Sequence, residues 1–281
     1  MLLGAPTSAL SLSLSQAHLT PAAFRQALGR FATWDAAHGV ELQDLAAGDA
    51  GDADMGGDPI AARGRLEKRC AELLGDGAVV TLCGGDNSIT YAGVRAVAAA
   101  QGVSLDSGRV GLLTLDAHHD MREPDPGPSN GSPVMELLRD GLPGACICQV
   151  GISAFANQRE LTERARQAGV AVYAVDEVRS EGIEWAMDSA LARLAGCDHV
   201  YVDVDLDVLD RAFAPACPAS IPGGLTPVDL LAAAHRAGAD PRVRALDLVE
   251  VDSAADVAGI TVKTAALAFL NFASGLARRP A

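Results

Sequence analysis

Residues 116–120 read Asp-Ala-His-His-Asp, and residues 205–207 read Asp-Leu-Asp. Side chains in extended backbone alternate with period two, so Asp116, His118 and Asp120 are expected to share one face, and Asp205 and Asp207 another. Four carboxylates gathered at one place repel one another unless a cation neutralises them. The donor set is rich in oxygen, with one imidazole and no thiolate, which suits Mn²⁺ better than Zn²⁺. Acids alternating along a solvent-facing strand would look the same. Against that stand Leu112, Leu113 and Leu115 in the first run and Val202, Val204 and Leu206 in the second, which have the apolar character of buried strands. His119 is out of phase and reads as a packing or supporting residue. Asp203 is in phase with Asp205 but deeper, and reads as a hydrogen-bonding partner of the backbone or of a ligand rather than as a ligand itself.

Positioning these groups requires a scaffold, and the hydrophobic pattern supplies one. Short β-rich runs recur at Ala78 to Cys83, Val110 to Leu115, Cys146 to Ile152, Val170 to Val175, His199 to Val204 and Val243 to Val249. Between them lie stretches with helical spacing: Ile89 to Ala100, Arg159 to Ala168, Ile183 to Leu194 and Pro227 to Ala237, the last opened by Thr226 as an N-cap before proline. Strands alternating with helices predict a mainly parallel sheet covered on both faces. In such a sheet the site forms beyond the carboxyl ends of the strands. Gly84 to Ser88, Asp116 to Asp120, Asp205 with Asp207, and Glu250 each follow one of these runs. No internal repeat or heptad pattern interrupts the arrangement. The Gly-, Ala- and Asp-rich stretch Ala46 to Pro59 reads as a surface loop ahead of a helix near Ala61.

Composition narrows the function classes. The 281 residues are 49% apolar, enough for one large core, and residues 1–281 are read as a single catalytic domain. The net charge of −14, with Lys68 and Lys263 the only lysines, excludes a basic tract for nucleic acid. No apolar run is expected to reach the roughly 18 to 20 residues of a membrane span. Residues 1–20 lack the basic start and cleavage site of a signal peptide, which points to the cytoplasm. The six cysteines form no CxxC pair and read as small buried side chains.

Gly-Gly-Asp-Asn-Ser at 84–88, Asp-Ala-His-His-Asp at 116–120, Asp-Leu-Asp at 205–207 with Pro215 and Gly224, and Leu-Val-Glu at 248–250 together resemble the four signature blocks of the ureohydrolase family, in order and over most of the chain. The resemblance implies a three-layer α/β/α fold, a trimer or hexamer, and two Mn²⁺ ions sharing a hydroxide. It implies that Asp116 and Asp205 bridge both ions, that Asp120 completes one site and that His118 and Asp207 complete the other. It gives Asp120 a general acid/base role and Glu250 the task of holding an amidinium group. Asn87 departs from the pattern, standing where the family usually has a metal-binding histidine. A neutral amide oxygen is a weaker ligand, so that site is expected to bind its ion loosely. Arg211 replaces a small residue and is expected to alter a loop.

Arg122, two residues past Asp120, stands where a substrate's tail should emerge, and arginine binds carboxylates bidentately. The stretches at 129–133 and 151–157 look like the formimidoylglutamase branch, and Asn130 stands where arginases carry a histidine. Ser129, Asn130 and Asn157 join Arg122 and Glu250 as candidate substrate contacts. The resemblance therefore implies hydrolysis of N-formimidoyl-L-glutamate to L-glutamate and formamide, in histidine degradation. A guanidino-acid ureohydrolase that releases urea, and a non-catalytic relative that binds a metal or ligand, are the alternatives.

Overall fold

The computed structural model describes residues 1–279. In chain order its strands are β1 (Leu2–Gly4), β2 (Trp34–Asp35), β3 (Val40–Glu41), β4 (Asp49–Asp52), β5 (Val80–Cys83), β6 (Val110–Leu115), β7 (Ile147–Ile152), β8 (Ala171–Ala174), β9 (His199–Val204) and β10 (Val243–Leu248). Its α-helices are α1 (Thr20–Leu28), α2 (Pro59–Gly75), α3 (Ile89–Ala100), α4 (Pro133–Arg139), α5 (Arg159–Ala168), α6 (Val175–Glu181), α7 (Ile183–Arg193), α8 (Pro227–Ala239) and α9 (Ile260–Ala277).

Eight strands form one sheet in the order β4-β1-β5-β10-β9-β6-β7-β8, and every pairing in it is parallel. β5, β6 and β7 are buried at every position, so their sequences are mostly apolar rather than alternating, with Thr81, Thr114 and Gln149 the buried polar exceptions. One set of helices packs α2 on α3 and α3 on α4, and another runs α1, α9, α8, α7 in contact. The result is the expected three-layer α/β/α arrangement. The capping box of α8 is complete: Thr226 accepts from Asp229 N–H, and the Asp229 carboxylate accepts from Thr226 N–H.

Two expectations need correction, and one strand is unexpected. Ala46 to Pro59 is not all loop, because β4 lies within it and pairs with β1 at the sheet edge. An edge strand is held by backbone hydrogen bonds along one side and needs no apolar periodicity. Here Asp49 and Asp52 instead tie down Arg25 of α1. Residues 1–20 contain β1, whose three residues are too few to show a pattern. Lastly, α9 is 18 residues long with a mean hydropathy of 1.4, so one helix does meet the length and composition of a membrane span. Half of that stretch is buried in the fold, and its apolarity answers to α8 and α1. A Cβ on Gly275 would lie 2.2 Å from the His235 carbonyl oxygen, and one on Gly238 would lie 2.1 Å from that of Phe272. The α8 and α9 backbones therefore touch through glycine.

Candidate active site

The sheet order makes β5, β10, β9 and β6 neighbours. Their carboxyl ends deliver Gly84 to Ser88, Glu250, Asp205 with Asp207, and Asp116 to Asp120 to one place. A cleft of about 130 Å³ opens there, lined by His118, Asp120, Arg122, Asn130, Asn157, Asp205, Asp207 and Glu250.

The acids do converge, but not by the period-two rule. β6 ends at Leu115 and β9 at Val204, so neither motif lies on a strand. Instead each first carboxylate folds its own turn. Asp116 Oδ1 accepts from His118 N–H at 2.6 Å, and Asp205 Oδ1 accepts from Asp207 N–H at 2.8 Å. These local bonds are the kind that aspartate makes two residues ahead in turns. They bring His118 Nδ1 to 2.9 Å from Asp207 and 3.5 Å from Asp116. Asp207 Oδ1 also accepts from Ala117 N–H at 3.2 Å. Donor atoms of Asp116, His118 and Asp207 all lie within 4.8 Å of one another. Asp120 and Asp205 face the same cleft outside that tight trio.

Two acids sit in left-handed backbone: Asp120 at φ 53° and Glu250 at φ 62°. A non-glycine residue there costs roughly 1–3 kcal/mol, and such costs gather where side-chain placement matters. Glu250 Oε1 accepts from Asn87 N–H at 2.7 Å and from Asn130 Nδ2 at 2.9 Å. Its backbone N–H donates to Gly85 O at 3.1 Å. Gly85, at φ 95°, leaves no room for a side chain, since a Cβ would come 2.6 Å from the Ala5 carbonyl oxygen.

Burial pushes Asp116 up to about 6, with Asp207 adding repulsion. Burial likewise holds Asp120 and Asp205 well above the usual carboxylate range, helped by Asp116 and Asp207 respectively. Burial would also raise Asp207, but the His118 charge outweighs it and holds it low. His118 is pushed up to about 12: burial opposes its charge, and Asp207 and Asp116 overcome that opposition. Glu250 rises to about 8 through burial and Asp86. Protons thus do in this cluster what a cation would do better, and the hard oxygen donors with one imidazole fit a divalent metal.

A pH dependence follows for the metal-free protein. Asp116, Glu250 and His118 all have folded-state values above their ordinary ones. Each therefore favours the fold fully below its ordinary value and loses that contribution as pH rises through the folded value. The metal-free melting temperature should fall between pH 5 and 8.5, and the rise produced by saturating Mn²⁺ should grow over the same window, because ligands must be deprotonated. Asp207, shifted down, acts only in more acidic solution. Thermal melts of EDTA-treated and Mn²⁺-loaded protein check both slopes, and a flat metal-free profile would contradict this account.

The remaining predicted residues divide. Arg122 lines the cleft rim, is exposed and makes no ion pair among the described residues. The Asn157 carboxamide is engaged: Oδ1 accepts from His119 N–H at 2.9 Å and Nδ2 donates to Ala117 O at 2.9 Å. It clamps the 117–119 turn. Asn130 is engaged too, between Glu250 and Leu12 N–H. Ser129 is not on the cleft lining. Its N–H and carbonyl both close on the Ser132 hydroxyl, so it builds the loop instead of facing the cleft. His119 turns away as expected, its Nδ1 2.7 Å from Gln149 Oε1. Asp203 departs from expectation: among the described residues no backbone or side-chain N–H or hydroxyl donates to its buried carboxyl, and burial and the adjoining Asp247 carboxyl hold it well above the usual range. Arg211 pins the 217–220 loop through the carbonyls of Cys217 and Ser220.

The sequence reading missed the N-terminal wall of the cleft, formed by Leu12 and Ser13. This segment has no helix or strand of its own. Asp86, Asn130 and Asp252 accept the N–H groups of Leu10, Leu12 and Gln16. No local pattern could reveal it, because its anchors lie 76 to 236 residues away.

Comparison with known proteins agrees with this geometry. The Arginase family model matches residues 1–274. A formimidoylglutamase from Halalkalibacterium halodurans is 37% identical over 280 residues, covering 98% of this chain and 86% of that protein. Another, from Bacillus subtilis, is 32% identical over 285 residues, covering 99% of this chain and 88% of that protein. The crystal structure of the Bacillus subtilis formimidoylglutamase superposes with a TM-score of 0.94, covering 100% of this chain and 87% of that one. The structure of Trypanosoma cruzi formiminoglutamase with Mn²⁺ is 24% identical, covers 99% of this chain and 93% of that one, and shares the fold at a TM-score of 0.90. With the family match spanning nearly the whole chain and the carboxylate cluster at the expected strand ends, the chain belongs to the arginase family.

Proposed function

We propose that the chain, acting as one catalytic domain, is a Mn²⁺-dependent hydrolase that cleaves N-formimidoyl-L-glutamate to L-glutamate and formamide. Asp116, His118, Asp120, Asp205 and Asp207 would hold the metal, with Asn87 as a sixth, weaker donor. Bound divalent ions supply a water of lowered pKa at neutral pH and offset charge at the tetrahedral stage. Glu250 accepts N–H groups of the amidine and fixes the reactive carbon over the cleft floor. Asp120 holds a proton for the departing glutamate nitrogen, the general-acid part of the reaction. Water adds to the formimidoyl carbon, the bond from that carbon to the glutamate nitrogen breaks, and the proton leaves with the amine. Formamide keeps the other nitrogen.

The observation that carries the choice of substrate is Arg122. A dicarboxylate approaching a protein of charge −14 needs local positive potential. The guanidinium at the rim, without an acidic partner among the described residues, meets that need. Agmatine, whose tail ends in an amine, would be repelled there. EDTA-treated protein is expected to release no formamide from formimidoylglutamate and to recover with Mn²⁺. In a panel with arginine, agmatine and guanidinobutyrate, urea release should be minor. Arg122→Ala should raise KM for formimidoylglutamate about 10- to 100-fold, the loss of one charge-assisted contact, and leave agmatine no worse or somewhat better, since the repelling charge is gone. Urea as the main product, or equal losses on both substrates, would count against this reading.

A further inference from the structure

Behind Asn87 lies a chain of buried polar groups that the reaction does not use. Thr90 Oγ1 is 2.7 Å from Asn87 Oδ1 and 2.7 Å from Asp247 Oδ2. Asp247 also takes the Tyr201 hydroxyl at 2.7 Å and Val204 N–H at 3.1 Å, and both Thr90 and Asp247 are fully buried. One hydroxyl has one proton and cannot serve two acceptors. Between a carboxylate and a carboxamide oxygen, the carboxylate is the stronger claimant. Once Thr90 donates to Asp247, its lone pair faces Asn87 and is matched only by the amide N–H.

At its other end Asn87 donates from Nδ2 to Asp120 Oδ2 at 2.5 Å. That bond suits a metal-free cluster and opposes a metal-loaded one, because it aims an N–H group at the place where a cation would sit. A half-turn of the carboxamide exchanges its ends at no loss of hydrogen bonds. Before the turn, Asn87 donates to Asp120 and Thr90 donates to Asn87. After it, Asn87 donates to Thr90, Thr90 donates to Asp247, and Oδ1 is free to face the metal.

We propose that Thr90, backed by Asp247, is a positioning residue that turns the Asn87 carboxamide oxygen toward the metal and so lets an asparagine serve as a ligand. This rests on the paired-metal reading above. The test is Mn²⁺ binding followed by the EPR signal of free Mn²⁺, with metal-free thermal melts to confirm folding. Wild-type protein should take up two ions, one more weakly. Thr90→Val should weaken that second ion about tenfold or more, in the range typical of partners that orient a metal ligand. Thr90→Ala should do the same by a different change of shape, and Thr90→Ser, which keeps the hydroxyl, should stay within a few-fold of wild type. In an Asn87→Asp background both ends of the side chain are oxygen and there is nothing to orient, so adding Thr90→Val should change the weaker affinity less than about threefold if this role is its only one. Equal losses in both backgrounds, or no loss in the wild-type background, overturn the positioning role. A wild-type protein that binds a single ion overturns this inference and the paired-metal reading together. Two bound ions without formamide release overturn the hydrolase reading alone.

Discussion

Asp205→Asn is expected to bind Mn²⁺ at least about a hundredfold more weakly and to lose about a thousandfold or more in kcat, the several kcal/mol that the charge of a metal-holding carboxylate would contribute. The substitution is chosen for what it keeps. The carboxamide oxygen of the new side chain can still accept from Asp207 N–H, so the turn that aims Asp207 at His118 survives. The carboxyl it replaces is held well above its ordinary range by burial and by Asp207, so its charged form is disfavoured in the metal-free fold. Neutralising it should therefore leave metal-free stability unchanged or slightly higher. A merely structural role for Asp205 predicts the opposite, a lower melting temperature together with lost activity. Isothermal titration with Mn²⁺, a metal-free melt and a formamide assay on the same preparation distinguish the two. Full Mn²⁺ affinity in the variant would remove Asp205 from the ligand set.

Glu250→Gln tests the other end of the reaction. A glutamine Oε1 can accept from Asn87 N–H and Asn130 Nδ2 as Glu250 does, so the loop geometry is retained. What disappears is the negative charge facing the amidine. We expect kcat/KM on formimidoylglutamate to fall about 10²- to 10³-fold, as when one preorganised electrostatic contact is removed. Mn²⁺ affinity should stay within about twofold if Glu250 is no metal ligand. Parallel loss of metal and activity would mean that Glu250 supports the metal cluster rather than the substrate.

The sequence by itself determined the parallel sheet, four strand ends and the identity of the acids on them. β6 and β9 fall at the expected residues because their apolar runs are bounded by polar groups, and burial on both faces leaves a signal that needs no partner to be read. The resemblance of four ordered blocks was legible for the same reason, since each block is local. Tertiary structure decided what those residues face. Period two expects these acids together for the wrong reason, because turns closed by Asp116 and Asp205, not extended backbone, gather them. Asn130 and Asn157 look like free carboxamides in the sequence, yet both are occupied by partners far along the chain. Hydrogen-bond partners separated by tens or hundreds of residues leave no periodicity. For that reason β4 emerges only when it pairs with β1, and the Leu12–Ser13 wall and the Thr90–Asp247 contact behind Asn87 only when the sheet order sets β5, β10, β9 and β6 side by side.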